Sequence, residues 1–198
     1  MVFLSPLNDE LKPGIMKRVI ILSVLLIFTS VIVMGQGRRR SMTTNPNSGY
    51  ANFNEGAAGY GLGTTSLPNS EYYYGAITTH GYQLNIYGFN VNQSFFAGLG
   101  SGVLFHEGNP MIPLYLDLRF FWNIKHIAPY IMGEGGFLFN PNDVDKKTLL
   151  MINAGGGIQF NFADNFSVSL GPGIGIQMGV DGRRSFAFAR AGFNFKTR

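Results

Sequence analysis

The 198-residue chain has no cysteine, one tryptophan, three histidines and only 13% charged residues. Without cysteine there is neither a disulfide framework nor a zinc–thiolate site. The scarcity of charge weighs against a soluble exported β-sandwich, whose loops and surfaces should carry more. The stretch GAAGYGLG resembles a phosphate loop only loosely, because it lacks the Lys-Ser/Thr ending and a following helix. The net charge of +4 does not point to nucleic acid, since much of the basic excess is local, at Lys17, Arg18 and the run Arg38–Arg40. What the chain does have is 27 glycines and 14% aromatic residues, a composition of many strands rather than of helices.

Residues Met16–Gly37 read as a secretory signal peptide. Lys17 and Arg18 supply the positive start, Val19–Val33 the apolar stretch, and Val33-Met34-Gly35 a small-residue cleavage pattern. An uncleaved anchor would need a longer run, ~20 apolar residues. Met1–Ile15 resembles neither leader nor domain and fits an upstream start, with Met16 the initiator. The expected organisation is therefore extension and signal peptide over 1–35, a flexible linker over 36–48, and one domain over 49–198.

The clearest pattern lies between Met111 and Phe139. Ile112, Leu114, Leu116, Leu118 and Phe120 share one parity, and Tyr115, Asp117 and Arg119 share the other. Beyond WNIKHI, Ile131, Phe137 and Phe139 alternate against Tyr130, Met132 and Glu134. A period of two means strands with two unlike faces, one apolar and one carrying charges in mid-strand. Similar runs recur at Tyr50–Gly63, Tyr72–Tyr87, Phe95–Phe105, Leu149–Phe162, Phe166–Met178 and Ser185–Phe195.

Eight strands of this length, following an export signal, predict an all-β fold: an eight-stranded antiparallel transmembrane β-barrel. In lipid the backbone must pair internally, so the sheet has to close. The charged face then turns into the lumen. The expected lumen set is Tyr115, Asp117, Arg119, Glu134, Asn153, Gln159, Asn161, Ser167, Ser169, Gln177, Arg190 and Asn194. Within it, Tyr115, Asp117, Arg119, Glu134 and Arg190 form a structural polar network in which two acids balance two bases. The last strand leaves two alternatives. Phe186 and Phe188 share parity with Arg190, so either a bulge intervenes or both rings turn inward.

In these features the chain resembles the small outer-membrane β-barrel proteins, of the OmpA-like and OmpX-like eight-stranded kind, and especially an uncharacterised barrel family of Bacteroidetes. The resemblance is carried by the leader ending VMGQG, GYQLNI, IPLYLDLRFF followed by APYIMGEGGF, NAGGGIQFNF and the aromatic FAFARAGFNF. It implies the cell outer membrane as location, with outer-membrane lipid, lipopolysaccharide and the barrel-insertion machinery as partners, no nucleic acid, and a monomeric state. Phe195 is followed by Lys196-Thr197-Arg198, a departure from the usual terminal aromatic.

No catalytic, cofactor or metal site is assigned. His106 and His126 are expected in loops and His80 as an interior strand group. His80, Ser101 and Glu134 could be imagined as a catalytic set, but nothing in the sequence joins them. His106 and Glu107 are adjacent and so unsuited to a shared metal, while Asp143 and Asp145 share a loop with Lys146 and Lys147. Trp122, Tyr72–Tyr74 and Tyr130 suit interfacial aromatic girdles. The expected role is structural or interactive without catalysis. A small channel or carrier for hydrophobic or small polar solutes is the alternative, followed by a lipid-acting barrel enzyme.

Overall fold

The computed structural model describes residues 48–62, 71–88, 91–124, 126–141, 148–180 and 182–197. The segments expected to be an extension (Met1–Ile15), a signal peptide and a linker, up to Asn47, and the stretch with Asp143 and Asp145 lie outside the described residues.

Eight antiparallel strands close into a barrel in simple sequential order. They are β1 (Gly49–Gly61), β2 (Tyr72–Gly88), β3 (Val91–His106), β4 (Asn109–Asn123), β5 (Ile127–Phe139), β6 (Leu149–Ala163), β7 (Phe166–Gly179) and β8 (Gly182–Thr197). Among the described residues there is no helix long and apolar enough to cross a membrane. Several strands run further than the hydrophobic alternation suggests, because pairing continues to the edge of each tight turn. Gly88 pairs with Val91, His106 with Asn109, and Gly179 with Gly182. Between β3 and β4 the turn is Glu107-Gly108, with φ of 48° and 87°. Two consecutive left-handed residues are what a two-residue hairpin needs to match the twist of its strands.

The strands are staggered around the wall. From Asn54, successive partners are Thr78, Ser101, Leu114, Phe137, Leu150, Met178 and finally Arg183 on β8. Asn54 itself pairs on its other side with Phe193, ten residues along β8 from Arg183. Such a shear is what tilted strands require for closure, and it leaves an interior just wide enough for side chains to fill.

The last strand carries no bulge. It pairs continuously with both β7 and β1, and Phe186 and Phe188 lie buried inside beside Arg190. The register shift falls elsewhere, between Asn161 and Ala163 on β6. The glycines that face inward make room for the large rings. At Gly100, a Cβ would fall within the Tyr115 ring.

Candidate functional site

The inside of the barrel holds an ion network at mid-height. Arg119 on β4 donates from Nη1 and Nη2 to Glu55 on β1, at 2.8 and 2.7 Å. Its Nε and Nη2 also donate to Asp117 Oδ2, at 2.9 and 2.7 Å. Arg190 on β8 forks onto Glu134 of β5, with Nη2 to Oε2 at 2.6 Å, and its Nη1 stands 3.8 Å from Glu55. Asn153 donates to Glu134 at 2.9 Å and Ser169 to Glu55 at 3.3 Å. All five charged groups are buried, Arg119 to 1% exposure. Such burial is tolerable only because each charge has an opposite partner and further hydrogen bonds.

Aromatic rings brace the network from both ends. Toward the end where β1 begins and β8 finishes, Phe53 lies under the Arg119 guanidinium at 4.3 Å and meets Phe96 edge-on at 4.7 Å. Tyr130 also faces Arg119, at 5.8 Å, and contacts Phe121 at 5.4 Å. Toward the opposite end, Tyr73 stacks on His106 at 5.1 Å and meets Phe186 edge-on at 5.3 Å, while Phe188 lies 4.9 Å from Arg190. Beside them a void of about 10 Å³ is lined by Tyr115, Gln177 and Arg190 among others. That is room for roughly one water. A wider vestibule of about 270 Å³ opens at the terminal end, lined mainly by amide groups such as Gln83, Asn123, Gln159 and Asn194, with Asp164 and Lys196 also in its lining.

The structure places Tyr115, Asp117, Arg119, Glu134 and Arg190 inside the barrel. Of the wider lumen set, only Asn161 is half-buried, near the rim, where it accepts from Gln159 at 2.8 Å. The charge balance needs correction. Glu55 is a third acid in the network, so three carboxylates face two guanidinium groups. Its signal was the shared parity of Phe53, Glu55 and Ala57. It was obscured because the outward residues of β1 are Asn52, Asn54, Gly56 and Ala58 rather than aliphatic ones.

Two histidine placements are reversed. His106 is no loop residue: it ends β3 and is buried in the lumen, where its Nε2 lies 3.0 Å from Gln177 Nε2. His80 is not interior, since it shares the outward parity of β2 with Thr78 and Tyr82. The imagined set of His80, Ser101 and Glu134 is therefore split across the wall, with Glu134 inside and the other two outside. Glu107 turns away from His106 and accepts from the Glu71 backbone at 2.8 Å. Among the described residues no cluster of three or more potential metal ligands occurs.

The aromatic girdle also divides. Tyr72 and Tyr74 are exposed at one end of the wall, and Trp122 meets Phe120 edge-on at 4.9 Å on the outside of β4. Tyr73 and Tyr130, by contrast, are lumen residues. Much of the outer wall elsewhere is aliphatic, with Leu84, Leu99, Leu116, Ile131, Leu170 and Ile174 all exposed. The barrel is inside-out relative to a water-soluble domain, with charges buried and an apolar band exposed.

No protein-family model matches the sequence, and neither does any curated protein. Among solved structures, the chain is similar in fold to Neisserial surface protein A, with a TM-score of 0.50 and 11% identity over 76% of this chain and 99% of that one. A de novo designed transmembrane β-barrel aligns with a TM-score of 0.44 and 13% identity, over 79% of this chain and 100% of that one. The N-terminal β-barrel domain of Pseudomonas aeruginosa OprF aligns with a TM-score of 0.38 and 17% identity, over 73% and 97%.

Proposed function

We propose that the chain is an integral β-barrel of a bacterial outer membrane, of the OmpA-like and OmpX-like kind, with a structural or interaction role and no catalysis. The observation that carries this reading is the inverted wall: exposed leucines and isoleucines around a closed sheet whose buried interior holds Glu55, Asp117, Arg119, Glu134 and Arg190. Water would favour the opposite arrangement, whereas hydrocarbon favours this one and demands a closed sheet. The export signal read over Met16–Gly37 would deliver the chain to the envelope.

The immediate partners are then outer-membrane lipid and lipopolysaccharide around the wall. The insertion machinery would read the aromatic last strand, on which Phe193 and Phe195 face outward. The filled lumen supports a structural role over conduction. A second reading, a binder of small polar solutes, rests on the vestibule at the terminal end, whose lining offers amide donors and acceptors. Its inner wall is closed by Phe53, Phe96 and Phe121.

The test is a gel comparison of boiled and unboiled protein from washed outer-membrane fractions. A closed membrane barrel resists SDS until heated, so the band should shift on boiling. An unshifted band from the soluble fraction would overturn the proposal.

A further inference from the structure

The outer wall is not uniform. On β1 and β2, Asn52, Asn54, Thr78 and His80 all face outward, and Ser101 of β3 pairs with Thr78 on the same face, whereas many outward positions of the other strands carry leucine, isoleucine or phenylalanine. They are tied to one another. Asn52 Nδ2 donates to Thr78 Oγ1 at 3.1 Å, and Thr78 donates to Asn54 Oδ1 at 3.0 Å. Asn54 donates in turn to Asn52 Oδ1, and the Tyr50 hydroxyl meets His80 Nδ1. The cluster lies between Tyr50 and Tyr82 on one side and Tyr60 and Tyr74 on the other, within the span bounded by aromatic residues.

Continuing along the same strands, the outward residues become small: Gly56, Ala58 and Ala76, with Ala189 and Ala191 beside them on β8. The barrel itself does not require glycine at 56. A Cβ there would meet only the carbonyl oxygens of Ala191 and Gly75, at 3.7 and 4.0 Å. The outward Gly133 and Gly135 on β5 are more open still, with nothing within 4 Å, but they lie between Leu116, Leu118 and Ile152 and carry no polar neighbour on that face.

Polar side chains facing hydrocarbon are costly, and within membranes they mark contacts with other protein. Small residues beside them allow two backbones to approach closely, and polar groups then hydrogen-bond across the contact. We propose that the outer face of β8, β1 and β2 is where two copies of this chain meet within the membrane. The proposal rests on the membrane-barrel reading above and departs from the monomer expected of the sequence.

A second copy is the occupant that fits this face without further matching. Two copies inserted in the same direction are related by a two-fold axis along the membrane normal, which brings every residue to its own depth in the partner. Asn52 and Asn54 of one copy then meet the polar level of the other, and the small-residue level meets its like. Asparagine amides both donate and accept, so the cluster is complementary to itself. The outward positions from Tyr50 to Tyr60 and from Tyr72 to Tyr82 carry no Asp, Glu, Lys or Arg, so like charges do not oppose the pairing.

The absence of cysteine makes the test direct. Single cysteines are placed at Ala58 or Ala191 on this face, and at Leu116 or Ile152 away from it. Outer membranes holding the full chain are treated with a short bis-maleimide. The expected result is an adduct of twice the chain mass from Ala58→Cys and Ala191→Cys, absent from Leu116→Cys and Ile152→Cys. In the Ala58→Cys background, Asn52→Leu with Asn54→Leu should lower adduct yield by about tenfold while the boiling shift persists. Equal adducts at all four sites, no adduct at any, an adduct of another mass, or a yield untouched by the leucine pair would each overturn the proposal. If the boiling shift is retained in those cases, the membrane barrel stands and only the pairing falls. Loss of the shift in the unsubstituted chain would remove both.

Discussion

Arg119 reaches across the barrel to Glu55, from a position 64 residues later in the chain, and holds it through two parallel hydrogen bonds of 2.8 and 2.7 Å. The same guanidinium holds Asp117 on its own strand. One cation thus serves two acids from strands on different sides of the wall. Removing it should cost more than removing one of its partners as well. Arg119→Ala leaves two buried carboxylates facing each other and is expected to lose about 3–5 kcal/mol. Arg119→Ala with Glu55→Ala should recover part of that loss. Urea unfolding of barrels refolded into lipid vesicles measures both, and equal losses would mean that the carboxylates are hydrated.

The outer wall makes the opposite demand. Leu116 and Ile174 are 47% and 61% exposed on aliphatic stretches of β4 and β7. Leu116→Arg or Ile174→Arg should impair insertion, since a charge near the bilayer midplane costs ~2–4 kcal/mol in such barrels. The readout is the fraction of outer-membrane protein that shifts on boiling. Undiminished assembly of both variants would contradict the assignment of that face to lipid.

Gly100 and Gly133 test the two faces with the same added methyl group. At Gly100 the new Cβ would overlap the Tyr115 ring, which is buried and hydrogen-bonded to Thr79 at 3.1 Å. Gly100→Ala should therefore destabilise by about 1–3 kcal/mol through overpacking. At Gly133 nothing lies within 4 Å of that position, and Gly133→Ala should stay within about 0.5 kcal/mol of the parent. Comparing their unfolding midpoints in one lipid separates inward from outward glycine.

The two parities of β8 predict unlike losses. Phe186 is 1% exposed inside the barrel, and Phe195 is 47% exposed outside it. Phe186→Ala opens a cavity and should cost about 3–5 kcal/mol. Phe195→Ala keeps the interior intact and should cost far less in equilibrium stability, its effect falling on the yield of inserted barrel. Similar unfolding midpoints for the two variants would contradict this division.

In planar bilayers the purified barrel should show no unitary currents, because Phe53, Phe96 and Phe121 close the lumen beneath the ion network. Discrete openings of the unsubstituted chain would favour the solute-path reading.

Much of this architecture was legible in order along the chain. Strand positions and the side of most residues follow from period-two alternation, which is local: Tyr115, Asp117 and Arg119 declare their face by the leucines between them. Where the outward residues are themselves polar or small, the same logic has nothing to contrast. That is why Glu55 was hidden among Asn52, Asn54 and Gly56 and why the outward His80 passed for an interior group, whereas His106 lies one residue past the alternation that stops at Phe105. The inward position of Phe186 and Phe188, against the outward Phe193 and Phe195, needed the uninterrupted pairing of β8 on both sides. The sequence by itself determined how many strands there are and which of their faces are unlike. Which charges meet was decided by closure and stagger, because a contact such as Glu55 with Arg119 depends on the register of every strand between them, and no local pattern encodes that register.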